Sequence, residues 1–209
     1  DYHAEVAMKM EIPCRGFILS VEGRADGVIE TPSGIVIDEI KGIYKELELL
    51  KEPVPVHLAQ AKCYAYIYAS QQSLEEIGVQ MTYCNMDTED IKRFQSVYQT
   101  ESLKEWFLGI VGQYEKWARF QIEWREKRNA SIREVHFPFA YREGQKKLTA
   151  AVYRTIERKK KLFIQAPTGV GKTIATVFPS IKAMGEGLGE KLFYLTAKTI
   201  TRTVAWQAF

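Results

Sequence analysis

Cysteine is scarce in this sequence. There are three, Cys14, Cys63 and Cys84, far apart and odd in number. They make neither a disulfide framework nor a CxxC metal knuckle, so a reducing cytoplasm is the expected compartment. No apolar run reaches the roughly 18 residues that a membrane-spanning helix needs. No basic-then-apolar segment at the start resembles a signal peptide. Internal repeats and low-complexity tracts are missing too. What is present is ordinary globular usage: 209 residues, 46% hydrophobic and 26% charged. That much apolar surface excludes general disorder, and the length suits one large domain or two small ones. The chain opens at Asp1 rather than Met and stops at Phe209 inside an amphipathic segment. It therefore reads as a piece of something longer.

Charge is unevenly spread. Residues 1–135 carry 16 Lys/Arg against 22 Asp/Glu, and residues 136–209 carry 13 against 4. A sign change between halves points to two units with different partners. The basic half suits nucleotides or nucleic acid, or is a solvated lysine-rich face.

Hydrophobic periodicity gives the order of elements. Residues 4–13, 17–24 and 34–41 read as three early strands, an antiparallel meander with a turn at Thr31-Pro32-Ser33-Gly34. A helix is predicted from Val56 to about Ser70, then a strand over 79–85. Residues 91–98 suit either a helix, through Ile91, Phe94 and Val97, or a hairpin strand. The strand is the reading adopted. A long helix is expected over 101–128, with a Ser102-x-x-Glu105 capping box. Its apolar stripe is Trp106, Ile110, Tyr114, Trp117 and Ile122. The polar stretch 125–140 marks a boundary. Beyond it the expected order is helix 143–158, strand 161–165, glycine-rich loop, helix 172–184 and strand 191–195. That is one βαβ unit of a parallel sheet.

The strongest motif is Ala166-Pro-Thr-Gly-Val-Gly-Lys-Thr173, which fits the Walker A spacing with alanine in the first glycine position. Thr168, Gly169, Val170 and Gly171 form the loop whose N–H groups turn toward phosphate oxygens. Lys172 supplies a point charge to the β/γ-phosphates, and Thr173 offers a hydroxyl to Mg²⁺. This form of the motif resembles superfamily 2 helicases. Upstream, Tyr141-Arg142-Glu143-Gly144-Gln145 resembles their adenine-reading segment, with Arg142 and Gln145 as nucleotide contacts. Downstream, Phe193–Phe209 resembles a segment that touches the DNA backbone. Thr196, Lys198, Thr199, Thr201 and Arg202 would be its phosphate-contacting set. The likeness is to the DinG/XPD branch of DNA helicases and covers about residues 136–209. The resemblance implies ATP and Mg²⁺ as cofactors and DNA as partner. It also implies an acidic box, an arginine finger, a second motor domain and, in this branch, an iron–sulfur insert, none of which lies in the sequence. The 209 residues alone are accordingly expected to bind ATP weakly or not at all, and not to hydrolyse it.

The first half carries a second constellation. Asp26 lies in Gly23-Arg-Ala-Asp-Gly27, and Glu39-Ile40-Lys41 lies in the next strand. Positions i and i+2 of a strand share a face, so Glu39 and Lys41 point together and Asp38 points away. Two carboxylates converging would suit a divalent cation, and Lys41 would orient water or stabilise a pentavalent phosphate. Gln60 and Tyr64, four apart on the predicted helix, share one face. The alternative is a surface strand of solvated charges with Tyr64 in the core. The set D…ExK…QxxxY resembles PD-(D/E)xK nucleases of the RecB-like branch, over about residues 4–125. That resemblance implies Asp26 and Glu39 as ligands of Mg²⁺ or Mn²⁺, with Lys41, Gln60 and Tyr64 completing a catalytic site. The branch usually carries a metal-binding His on a helix upstream of the first strand, and this chain begins after that point. His57, one turn before Gln60, reads as a capping or packing residue rather than a ligand, which stays the alternative, and Cys63 as a small apolar residue.

The expectation is therefore a mixed α/β chain: a PD-(D/E)xK-like mixed sheet with flanking helices over 1–130, a linker over 131–140, and a partial P-loop NTPase βαβ unit over 141–209. The function it implies is a cytoplasmic ATP-dependent DNA helicase with a metal-dependent nuclease domain, acting on single-stranded DNA or DNA with single-stranded ends in repair or processing. A non-catalytic DNA-binding scaffold on a helicase, and a P-loop ATPase that is not a helicase, are the alternatives.

Overall fold

A computed structural model describes residues 1–167, 169–196 and 203. The chain is mixed α/β, and the elements among the described residues include one five-stranded mixed sheet and the four α-helices named below. It forms two compact units, Asp1–Trp117 and Ala118–Phe209.

The first unit begins with β1 (Tyr2–Cys14), β2 (Phe17–Thr31) and β3 (Gly34–Ile43), an antiparallel meander. Helix α1 (Pro55–Gln72) crosses over to β4 (Glu76–Asn85), which pairs parallel to β3. Strand β5 (Ile91–Gln99) closes the sheet antiparallel to β4, in the order β1-β2-β3-β4-β5. The ambiguous segment 91–98 is thus a strand. Pro55 sits at the start of α1, where its missing N–H costs nothing. Ser73 ends the helix in the left-handed region.

The core lies between α1 and one face of the sheet. Ile37, Ile77, Val79, Met81 and Tyr83 meet Ala61, Ala65 and Ile67 there. The alanines let the helix approach the strands closely, and the β-branched residues fill the pleat. Helix α2 (Thr100–Glu134) adds Leu103, Phe107 and Val111, and the rings of Phe107 and Tyr66 lie 4.8 Å apart.

Three expectations about α2 need correction. It starts at Thr100, whose N–H and hydroxyl donate to the carbonyls of Glu75 and Leu74, so Ser102 is inside the helix and caps nothing. Its buried stripe is Leu103, Phe107 and Val111, one residue out of phase with the expected one. Ile110, Tyr114 and Trp117 are exposed. It also continues to Glu134, through the polar stretch taken as a boundary and through the division between the two units.

The second unit packs α3 (Gln145–Glu157) against α4 (Lys172–Gly185). Val152, Ala175, Val177 and Ala183 are its buried apolar residues. The predicted strands 161–165 and 191–195 are not formed: both stretches are described, and neither has strand or helix structure. A strand exists only by pairing, and no pairing involves residues of this unit among those described. The apolar side chains meant for a sheet stay in water: Phe163 is 94% exposed and Leu195 89%.

Candidate functional site

Strand β2 alternates regularly from Phe17 to Ala25, with the odd positions turned toward the core. Then the phase slips, and Val28 is the next fully buried core residue. The slip coincides with an interruption of the β1–β2 ladder. Ala4 pairs with Gly27 and Val6 with Ala25, but Glu5 does not pair, and its φ is +54°. Irregularities of this kind bend strands and re-aim side chains. Here the residue opposite Glu5 is Asp26.

The β2–β3 ladder also stops at this point. It runs from Thr31↔Gly34 to Gly27↔Asp38, while β3 goes on pairing with β4 as far as Ile43. Two residues beyond the last β2–β3 pair, the Ile40 N–H donates to the carboxylate of Asp26 at 2.7 Å. The two strands therefore part around Asp26, Glu39 and Lys41.

The side chain of Glu39 is 1% exposed. Its Oε1 accepts the Lys41 ammonium at 2.5 Å. Its Oε2 is buried with no partner among the described residues. Burial pushes the Glu39 carboxyl up, the Lys41 hydrogen bond pulls it down, and the nearby Asp26 charge pushes it up again. An orphaned buried carboxylate oxygen beside a second carboxylate fits a hard cation that prefers oxygen. Among the described residues no group of three or more His, Cys, Asp or Glu is placed to hold a metal. The protein ligands on offer are two.

Gln60 and Tyr64 face the same side of the sheet as this cluster. Gln60 Nε2 donates to Tyr64 Oη at 3.2 Å. The Tyr64 ring lies over Gly23, three residues before Asp26: a Cβ at Gly23 would stand 2.7 Å from the Tyr64 hydroxyl. Asp38 faces the other way, and its Oδ1 accepts Thr82 Oγ1 at 2.6 Å and Gln80 Nε2 at 3.0 Å.

Two further residues lie near the cluster, and of these Tyr83 carried no functional signal in the sequence. Tyr83 is fully buried and pairs across the sheet with Lys41. His57, read as a packing residue, places Nδ1 3.3 Å from Tyr83 Oη. Burial and then the Lys41 charge push its imidazole below the usual value. A spacing such as HxxQ shows that His57 and Gln60 share a helix face, but nothing local to it names Tyr83.

The second unit holds the phosphate-loop candidates. Gly169 and Gly171 have φ of +86° and +74°, a region that disfavours any side chain. Helix α4 starts directly after Gly171 with no side-chain cap, so its first N–H groups are open to an anion. Lys172 donates to the carbonyls of Ala166 and Pro167 at 2.8 and 2.9 Å. Gln145 donates to the carbonyls of Val170 and Gly171, and Arg142 to that of Gly169. The two residues read as adenine contacts thus hold the loop itself. Between them and the loop lies a cavity of about 430 Å³, lined by Gly144, Leu148, Ile164 and Pro167 among others. The donors fit a nucleotide phosphate, which would take over the Lys172 bonds now made to the loop. Thr173 is in the first turn of α4. Thr168, Lys198, Thr199, Thr201 and Arg202 lie outside the described residues.

No helix among the described residues is long and apolar enough to cross a membrane. No protein-family profile matches the chain. Over 46 residues it is 41% identical to the probable ATP-dependent helicase MJ0942 of Methanocaldococcus jannaschii, a stretch that is 22% of this chain and 7% of that protein. The crystal structure of SSO0001 aligns with 49% of this chain and 46% of its own, at 20% identity and a TM-score of 0.36, and a likeness that slight carries no argument. In part of its length, then, the chain is similar to a probable ATP-dependent helicase.

Proposed function

We propose that the chain is the nuclease-like and first motor segment of a DinG/XPD-type ATP-dependent DNA helicase. The helicase reading is supported by the Walker A loop at the start of α4 and by the 46-residue similarity. The nuclease reading is carried by one observation: the orphaned Oε2 of Glu39, buried beside Asp26 and Lys41 where β2 and β3 part.

In the proposed site Asp26 and Glu39 hold Mg²⁺ or Mn²⁺, which supplies charge neutralisation and an activated water when bound. Lys41 keeps one Glu39 oxygen fixed and presents its remaining N–H groups to the phosphate. Gln60 and Tyr64 line the approach over β2. In the second unit, Lys172 and the α4 amides take the nucleotide phosphates, Thr173 the magnesium, and Arg142 and Gln145 the base. The substrate class is DNA with single-stranded character, in repair or processing.

Incubating the chain with labelled single-stranded DNA and Mn²⁺ tests the nuclease reading. Cleavage that Asp26→Ala, Glu39→Gln and Lys41→Ala each abolish supports it. Wild-type binding of DNA without metal-dependent cleavage replaces it with a DNA-binding scaffold.

A further inference from the structure

We propose that His57 is a phosphate-binding residue of the candidate nuclease site, donating from Nε2–H to a non-bridging oxygen of the phosphodiester that Lys41 also contacts. The inference rests on the nuclease reading above and extends it.

The tautomer comes from hydrogen-bond accounting. Tyr83 is fully buried, so its phenol proton needs an acceptor. Its oxygen already accepts the Val54 N–H at 2.9 Å. The acceptor in reach is His57 Nδ1, at 3.3 Å. If Tyr83 donates to Nδ1, the single proton of a neutral imidazole sits on Nε2. Nε2 has no protein partner among the described residues, and His57 is only partly covered.

Position comes from the sheet. Lys41 and Tyr83 are directly paired across β3 and β4, so the tyrosine that holds His57 lies beside the lysine that holds Glu39. Burial, and after it the Lys41 charge, favours the uncharged ring. A neutral N–H donor beside an ammonium suffers no charge repulsion. With Tyr83 linking the positions of the two, a ring N–H and an ammonium suit the two non-bridging oxygens of one phosphodiester. His57 is also in the first turn of α1, which carries no acidic residue to compete with an anion.

The closing experiment separates the two nitrogens. Asparagine places its amide near the Nδ1 position and loses the Nε2 donor, whereas glutamine reaches the Nε2 position and keeps an N–H there. Affinity of the 209-residue chain for a fluorescent single-stranded oligonucleotide is measured by anisotropy in Ca²⁺, and cleavage is followed separately in Mn²⁺. His57→Asn should weaken binding about tenfold, the size of one lost hydrogen bond to a charged group. His57→Gln should stay within about threefold of wild type. In ¹⁵N spectra of the free chain, His57 should carry its proton on Nε2. If glutamine weakens binding as much as asparagine, or if the proton is on Nδ1, the proposal is overturned. Cleavage with unaltered binding in both variants overturns it and leaves the nuclease reading standing. Loss with asparagine and rescue with glutamine, but no cleavage by wild type, supports the phosphate contact and refutes the nuclease reading. A chain that binds no oligonucleotide overturns both.

Discussion

Glu39 makes a specific and opposite demand on stability and on metal binding. Its carboxyl is pushed above the usual glutamate range chiefly by burial, so the folded state prefers it protonated. A raised folded value contributes stability below the unfolded value, near pH 4.5, and loses it as pH rises through the folded value. Once ionised without metal, the carboxylate is 1% exposed and, among the described residues, short of one partner at Oε2. An unsatisfied buried acceptor costs about 1–3 kcal/mol. Glu39→Gln should therefore remove the Glu39 share of the fall in stability above pH 4.5, and in EDTA should gain on wild type as the pH rises. A cation between Asp26 and Glu39 should reverse that order. At a Mn²⁺ concentration 100 times its dissociation constant, the stabilisation is about 2.7 kcal/mol. For a unit of this size that is a rise of about 10 °C. Hydrogen exchange at the Ile40 amide, which is bonded to Asp26, localises the effect to the split between β2 and β3. Parallel pH profiles for wild type and Glu39→Gln, or an equal Mn²⁺ shift in both, would refute the reasoning.

Four further outcomes are expected. Gly23→Ala should cost about 1–3 kcal/mol, because the new methyl meets the Tyr64 ring, and should lower cleavage by displacing that ring; urea unfolding and a nuclease assay read both. Phe107→Ala should destabilise the first unit by about 3–5 kcal/mol in urea unfolding, since it is 2% exposed and packs on Tyr66. Asp38→Ala should cost about 1–3 kcal/mol by leaving buried Thr82 and Gln80 donors without their shared acceptor, with metal affinity by calorimetry unchanged. In the longer protein, Lys172→Ala should remove DNA-stimulated ATP turnover, measured by phosphate release.

The parts of the fold that follow from local periodicity were legible. The three-strand meander, the helix after it and the strand that follows all come from runs of apolar residues and one proline-led helix start, while the parallel direction of β4 beside β3 is seen only in the structure. The i, i+2 spacing of Glu39 and Lys41 was enough to put them on one face, and the structure joins them directly. The parting of β2 from β3 was not legible: it coincides with an irregularity at Glu5, a residue with no turn signature that sits across the ladder from Asp26. The phase of α2 was misread because two apolar stripes run along it. The larger aromatic one, with Tyr114 and Trp117, faces solvent, while the ties from Thr100 to Leu74 and Glu75 turn Leu103 and Phe107 inward. The strands 161–165 and 191–195 have the right composition, yet composition supplies no pairing partner.

The slip of phase at Asp26 divides one strand into two inheritances. Upstream, Leu19, Val21 and Ala25 answer only to the core, and any set of residues that keeps the alternation will serve there. Downstream, Val28 answers to the same core from the opposite parity, and the aspartate at the joint belongs to neither pattern. Losing one residue near positions 24–26 would restore an unbroken alternation along the whole strand and so be easily accommodated by packing. The same loss would carry the carboxylate away from Glu39. A related chain can thus part the two carboxylates of the proposed site while improving the regularity of its sheet, and the length of this short stretch is the place in a sequence where such a loss would show.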